Sequence, residues 1–161
     1  MAGGAVTPEF VKSVLDKLRS IGQETGIFAG VDGHEPKSAP VLGQGGIHLA
    51  LFSGIVTPSG EQSGLNSASI RWQIEGRVYR NAMSEPADDI DPETLGAAST
   101  YLTALMGQFT LGGLIRCVDI YGMAGDPLKA TPGYIEQDKV VYRAIELEIP
   151  LLLNDVYNLA P

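Results

Sequence analysis

Cysteine and histidine are scarce in this chain. It contains one cysteine, Cys117, and two histidines, His34 and His48, among 161 residues. One cysteine cannot form an intramolecular disulfide, it excludes a zinc site built mainly from thiolates, and it is typical of a reducing compartment. A metal site needs three or four converging ligands, but Asp32, His34 and Glu35 only share one predicted loop. The sequence therefore predicts no metal and no cofactor.

Basic residues are also few. The chain has 11 Lys and Arg against 19 Asp and Glu, which gives a formal net charge of −8 and an isoelectric point near 4.6. Proteins that grip nucleic-acid phosphates or anionic membranes need a basic face, so this balance argues against both kinds of partner. Residues 1–7 lack the features of a signal peptide, and the longest stretch without charge, 47–60, is too short to span a bilayer.

The rest of the composition is that of a globular protein. Hydrophobic residues make up 44% and charged residues 19% of the 17.0 kDa chain, which excludes a disordered or coiled-coil composition. A chain of this length suits one domain, so residues 1–161 are predicted to form a single domain with its core over residues 7–153. Residues 154–161 are a possible C-terminal arm.

Two helices are predicted from capping residues and apolar spacing. The first begins at Thr7, whose side chain can cap free amides before Pro8 at the first helical position. The second begins near Pro92, in an acidic run that complements the positive end of a helix, and it stops before the glycines at 112–113. The apolar stripe predicted to face the core from this helix consists of Leu95, Ala98, Leu102, Leu105, Met106 and Phe109.

Four strands are predicted between and after the helices. Residues 47–57 are apolar and partly β-branched, and residues 68–78 alternate between apolar and polar side chains. Two further strands are predicted at 114–121 and 139–153. The segments 32–46, 58–66 and 122–133 are rich in small, polar and turn-forming residues and are predicted to be loops.

These elements predict an α+β fold in the order αββαββ. Two amphipathic helices are expected to pack on one face of a mostly antiparallel four-stranded sheet, in two layers. The opposite face of the sheet must then meet water or a partner subunit. The residues predicted to lie on that face and to form a subunit or partner interface are Arg71, Glu75, Arg77, Tyr142, Glu146 and Glu148.

The densest acidic run covers residues 85–93, and no basic residue lies between Arg80 and Arg116. Negative charge is stabilised at the start of a helix, so capping and solvation account for such a run. The alternative is a functional acidic surface, for example one that lines a channel. The candidates for a lumen surface are Glu85, Asp88 and Asp89.

The end of the chain is rich in apolar residues. Either it packs back on its own domain, or it forms an arm that lies on a neighbouring subunit. The candidate interface residues in this segment are Leu153, Val156 and Tyr157.

The sequence offers no set of residues that could act together in catalysis. No nucleophile, base and orienting residue can be paired, and Cys117 in a predicted strand is interpreted as buried and inert. The glycine-rich run 43–46 precedes a strand, whereas a phosphate cradle precedes a helix. The sequence therefore predicts a protein that is not an enzyme and has no catalytic, cofactor-binding or metal-binding residues.

The chain as a whole resembles the tail terminator proteins of long-tailed, siphophage-type bacteriophages, especially those that infect actinobacteria. The resemblance spans residues 7–157 and lies in pattern and element order. Four stretches carry it, namely TPEFV at 7–11, SIRWQIEGRVY at 69–79, DDIDPE at 88–93 and VYRAIELEIPL at 141–151.

This resemblance implies a structural virion protein at the head-proximal end of the tail, assembled in the host cytoplasm. Terminators form a six-subunit ring on the last ring of the tail tube protein, stop its polymerisation and join the tail to the head-tail connector proteins. DNA passes through the ring without sequence-specific binding. The αββαββ order is the fold expected of the family, which has no catalytic residues to transfer.

Two other functions remain open from the residues. One is another head-tail connector or neck protein. The other is a small hydrolase or metal-dependent enzyme that uses His34, His48 and nearby carboxylates.

Overall fold

The computed structural model describes residues 6–37, 46–60 and 63–159. In these ranges the chain forms two α-helices and six β-strands, with short 3-10 turns at Ala87–Asp89 and Leu111–Gly113. Of the glycine-rich run 43–46, only Gly46 lies inside the described residues. The elements are α1 (Pro8–Glu24), β1 (Gly30–Asp32), β2 (Ile47–Ser59), β3 (Ser67–Asn81), α2 (Ile90–Met106), β4 (Cys117–Val118), β5 (Lys129–Gln137) and β6 (Val140–Asn158).

Helix α1 begins where its capping residues predict. The hydroxyl of Thr7 accepts a hydrogen bond from the backbone amide of Phe10 at 3.2 Å. Pro8 occupies the first helical position, where a missing amide hydrogen costs nothing. The prediction for this helix start is confirmed, and the face that the helix buries carries Phe10, Val14, Leu18 and Ile21.

The six strands form one mixed sheet in the order β1-β2-β3-β6-β4, and β5 also pairs with β6. Strand β1 runs parallel to β2, whereas the other pairs are antiparallel. Strand β3 is central, because it pairs with β2 on one side and with β6 on the other, where Ser67 lies opposite Asn158 and Asn81 opposite Tyr142. Residues 68–78 are therefore in a strand, as predicted.

Both helices cover the same face of the sheet, which we call the helix face. Helix α1 packs over β1 and β2, and α2 packs over β3 and β6. The hydroxyl of Tyr101 in α2 donates to the carbonyl of Leu18 in α1 at 3.2 Å, and burial raises the pKa of Tyr101 well above its usual range. Each large apolar side chain buried between the layers contributes about 1.5–3 kcal/mol. Those from β3 and β6 are Ile70, Trp72, Ile74, Val78, Ile145, Leu147, Ile149, Leu151, Leu153 and Val156.

The α+β class agrees with the prediction, but the predicted four-stranded antiparallel sheet is wrong. The sheet has six strands and is mixed. Strand β1 has only three residues, and β5 is largely exposed and contains Pro132 and Gly133, so neither shows an alternating or apolar pattern. The predicted strand at 114–121 shortens to β4, because Asp119 accepts hydrogen bonds from the amides of Met123 and Ala124 and turns the chain.

The chain end belongs to the sheet as far as Asn158. Ala68 of β3 lies opposite Tyr157, so the last residues of β6 pair within their own subunit. Leu153 and Val156 are only 4% and 5% exposed and belong to the core. The described part of this segment therefore packs on its own domain, as the first of the two alternatives requires, and residues 160–161 lie outside the described ranges.

Candidate interaction surfaces

Four of the predicted interface residues lie together on the face of the sheet opposite the helices, which we call the second face. They are Glu75, Arg77, Glu146 and Glu148, and they face one another across β3 and β6. Arg77 Nε is 2.9 Å from Glu146 Oε1, and Lys129 Nζ is 3.0 Å from Glu148 Oε2. Such partly exposed pairs contribute about 0–1 kcal/mol each. This part of the second face is therefore polar, with charges that are largely compensated within the chain.

Arg71 was expected on an open face, but it is buried. Its Nε lies 3.5 Å from Asp119 Oδ2, and its guanidinium also donates to the carbonyl of Asp126. The loop 119–127 folds over the side chain, so the prediction that Arg71 meets water or a partner is wrong for the single chain. Arg71 instead holds this loop on the sheet.

Tyr142 is also buried, against the expectation for its face. It belongs to a second apolar cluster with Ala50, Tyr79 and Ala144, and its ring meets that of Tyr79 edge-on at 5.4 Å. Burial raises the pKa of Tyr142, and the negative charge of Asp138 adds to the rise. The pKa of Tyr79 is raised further, first by burial.

The two histidines do not meet in the structure. His48 is buried and its Nε2 lies 2.8 Å from Asp32 Oδ2, whereas His34 is exposed. His48 stacks at a tilt on Tyr79 with ring centroids 5.2 Å apart, but the buried Tyr79 hydroxyl has no hydrogen-bond partner among the described residues. The hydrogen-bonded pair of Asp32 and His48 therefore does not include the Tyr79 hydroxyl. No group of three or more potential metal ligands occurs among the described residues.

The acidic run divides into two parts. Glu85, Asp88 and Asp89 are exposed before α2, and no ion pair in the described ranges involves them. These three carboxylates are the candidates for a lumen surface. Their exposure fits either solvation or contact with another molecule.

The remaining two carboxylates of the run fasten α2 to the sheet. Asp91 Oδ1 lies 2.8 Å from Arg143 Nε, and Glu93 pairs with the buried Arg80. Both arginines project from the helix face, from β3 and β6, so the start of the helix is fixed at two points. The sequence did not reveal these pairs, because their partners lie 13 and 52 residues away along the chain.

An apolar groove lies between α2 and β5, on the part of the helix face that no described helix covers. We call it the α2–β5 groove, and its volume is about 400 Å³. Leu95 forms one wall and is 58% exposed, although the sequence placed it in the buried stripe. Thr94 and Tyr101 take the buried positions on α2 instead. The residues that line the groove are Asp91, Pro92, Thr94, Leu95, Ala130, Pro132, Arg143 and Ile145.

A second apolar surface lies at the opposite end of the sheet, where β2, β3 and β6 extend past β4. Leu65, next to the turn into β3, is 98% exposed, and the amide of Leu159 donates to the carbonyl of Asn66 at 2.7 Å. The end of β6 therefore lies beside the β2–β3 connection. We call this surface the distal tip and define it by the exposed side chains of Leu65, Tyr157 and Leu159.

The fold and its surfaces define a two-layer α+β domain with exposed apolar groups at both ends of its sheet. No described helix is long and apolar enough to cross a membrane. No protein-family model matches the chain, and a comparison with curated proteins finds no match either.

Proposed function

We propose that the protein is a structural component of a phage tail, a terminator that caps the tail tube as a ring, stops its polymerisation and joins the tail to the head. The sequence resemblance over residues 7–157 motivates this proposal. The observation that carries it is the distal tip, whose apolar side chains remain exposed on the single chain. Exposed large apolar side chains that lie close together are typical of a surface that meets a partner.

The layout of the domain supports a ring. A cyclic assembly needs two different surfaces on each subunit, since each copy contacts one neighbour with one surface and the other neighbour with the other. The distal tip and the α2–β5 groove are two such surfaces, and they differ in shape and position. Six copies of a 17.0 kDa chain would have a mass of about 102 kDa.

The exposed carboxylates are compatible with a central hole through which DNA passes. A hole through which DNA slides must not hold its phosphates, so an acidic or neutral wall suits it. We assign Glu85, Asp88 and Asp89 to this wall. Changing all three to Lys should make assembled rings retain duplex DNA in a mobility-shift assay, whereas wild-type rings should not retain it. If the variant rings leave DNA as mobile as wild-type rings do, the three residues do not line the hole.

Electron microscopy of tail tubes assembled without a terminator tests the function itself. Added protein should form a ring at one end of each tube and stop further growth. Wild-type protein unfolded beforehand serves as the control for non-specific adsorption. Binding to the head portal rather than to the tube would identify a connector, and an absence of binding to either would reject the proposal.

A further inference from the structure

We propose that residues 33–37 form a strap that closes over the second apolar cluster and opens as a local unit while the rest of the domain stays folded. The cluster consists of Ala50, Tyr79, Tyr142 and Ala144 and lies on the second face of the sheet, away from both helices. The inference concerns a single subunit, so it does not depend on the proposed ring.

The second apolar cluster is as deeply buried as the core between the layers. Ala50, Tyr79 and Ala144 are 0% exposed, and Tyr142 is 2% exposed. A sheet face that packs on nothing stays open to water. Part of the chain must therefore cover this end of the second face.

The strap follows the path that such a cover needs. It comes directly after β1, at one end of the strand order, and the carbonyl of Pro36 accepts a hydrogen bond from Gln137 Nε2 in β5 at 2.9 Å. Strands β2, β3 and β6 lie between β1 and β5, so these few residues cross the sheet. Asp32, the residue before the strap, contacts His48 on the second face, and Pro36 is buried. The crossing therefore lies on the side of the cluster.

The strap is fastened at both margins of the sheet. At the β1 margin, His48 Nε2 is 2.8 Å from Asp32 Oδ2. Gly30 leaves room for the His48 ring there, since a Cβ at position 30 would lie 2.8 Å from the ring. At the β5 margin, the fastening is the hydrogen bond between the Gln137 amide and the Pro36 carbonyl.

Between these two points the strap has little to hold it down. His34, Glu35 and Lys37 are exposed, so Pro36 is the buried side chain that it contributes. No backbone–backbone hydrogen bond joins residues 33–37 to another part of the described chain. Segments with few buried apolar groups and few backbone hydrogen bonds open at a lower free energy than the whole domain.

Two buried polar atoms also favour opening. The hydroxyl of Tyr79 and Oε1 of Gln137 are buried without a hydrogen-bond partner among the described residues. A buried polar atom without a partner destabilises the state that buries it. Opening of the strap gives both atoms access to water, so the closed state is held by a small margin.

The strap gives the second face two forms. In the closed form, the polar side chains around Arg77 and Glu146 are accessible, while Tyr79 and Tyr142 are withheld from any partner. In the open form, these two aromatic side chains join the accessible surface. The strap is therefore a contact that blocks part of the second face in the free subunit.

Thiol labelling under native conditions tests this opening. Ala144→Cys reports on the covered cluster and Ala98→Cys, also buried, reports on the core beneath α2, each in a Cys117→Ser background. Reaction with a disulfide reagent should be at least about tenfold faster at position 144 than at position 98, because local opening precedes global unfolding. Ala50→Cys repeats the measurement at the other side of the cluster if Ala144→Cys does not fold.

A change in the fastening at β5 identifies the strap as the element that moves. Gln137→Glu keeps the size of the side chain but replaces the donor to Pro36 with an oxygen, so labelling at position 144 should rise about tenfold while position 98 stays unchanged. Gln73→Glu is the matched control, since it removes an amide hydrogen bond of 2.7 Å to Glu75 in the open part of the same face. It should leave the ratio of the two rates unchanged.

Three results would overturn the proposal. Equal labelling rates at positions 144 and 98 would mean that the cluster opens only with the whole domain. Labelling at position 144 as fast as that of free cysteine would mean that nothing covers the cluster. An equal rise in the ratio of the two rates in Gln73→Glu and Gln137→Glu would mean that the strap is not the element that moves.

Discussion

The buried pair of Arg71 and Asp119 yields a prediction whose size can be worked out from the structure. Their side chains are only 9% and 4% exposed, and they join β3 to the loop after β4. The change Asp119→Ala leaves the guanidinium of Arg71 buried without a charge partner. Removal of one partner from a buried ion pair costs about 3–5 kcal/mol. Domains of this kind have a total stability of about 5–15 kcal/mol, so the loss is a large fraction.

Urea unfolding followed by tryptophan fluorescence measures this effect. Trp72 is the only tryptophan, it is buried next to Arg71 in sequence, and its Nε1 donates to Ser53 Oγ at 2.8 Å. With a slope of about 2 kcal/mol per molar urea, a loss of about 4 kcal/mol lowers the midpoint by about 2 M. The slope itself should not change.

A second variant isolates the buried charge as the cause. In Arg71→Met combined with Asp119→Ala no charge is left buried, so the double variant should be more stable than Asp119→Ala alone. Asp119→Asn keeps an acceptor for the amides of Met123 and Ala124 and should lie between wild type and Asp119→Ala. A buried unpaired charge is not the cause if Asp119→Ala stays within about 1 kcal/mol of wild type, or if the double variant is less stable than Asp119→Ala.

Three further predictions concern stability and reactivity. Burial raises the pKa of Tyr79, Tyr101 and Tyr142 above the usual value of 10, which applies to the unfolded chain. The contribution of these tyrosines to the free energy of unfolding should therefore be constant below pH 10 and fall above it, measured by urea unfolding from pH 8 to 11. Deletion of residues 153–159 removes Leu153 from the core and should lower the free energy of unfolding by about 2–5 kcal/mol or more, measured by thermal unfolding. The pKa of the Cys117 thiol is raised, first by burial, so it should react with iodoacetamide at pH 8 more slowly than free cysteine; an equal rate would contradict this.

Local signals predicted the parts of the fold that local physics determines. The start of α1 follows from Thr7 and Pro8, because a cap involves residues three positions apart. The long strands β2, β3 and β6 follow from apolar and alternating runs. Strand β5 could not be predicted in this way, since an exposed edge strand needs no apolar side and owes its conformation to pairing with β6.

The candidate surfaces were harder to predict from the sequence than the fold was. Alternation placed Arg71 and Tyr142 on the second face correctly, but it could not show what covers them. Arg71 is buried by a loop that begins 48 positions later, and Tyr142 is buried against Tyr79 of another strand. Leu95 was assigned to the core because a stripe of leucines is the usual signal, whereas the helix is rotated so that Tyr101 fills the core.

Charge should make the proposed assembly depend on salt in an unusual way. Each chain carries a net charge of −8, so the proposed ring would bring like charges together, and their mutual repulsion would oppose closure. Salt screens this repulsion over about 10 Å at 0.1 M, while burial of apolar side chains between copies would not be weakened by screening. Assembly should therefore become stronger as sodium chloride rises from about 0.05 to 0.5 M, measured by sedimentation. A contact built from intersubunit ion pairs would respond in the opposite direction, so weaker assembly at high salt would argue against an apolar contact between subunits.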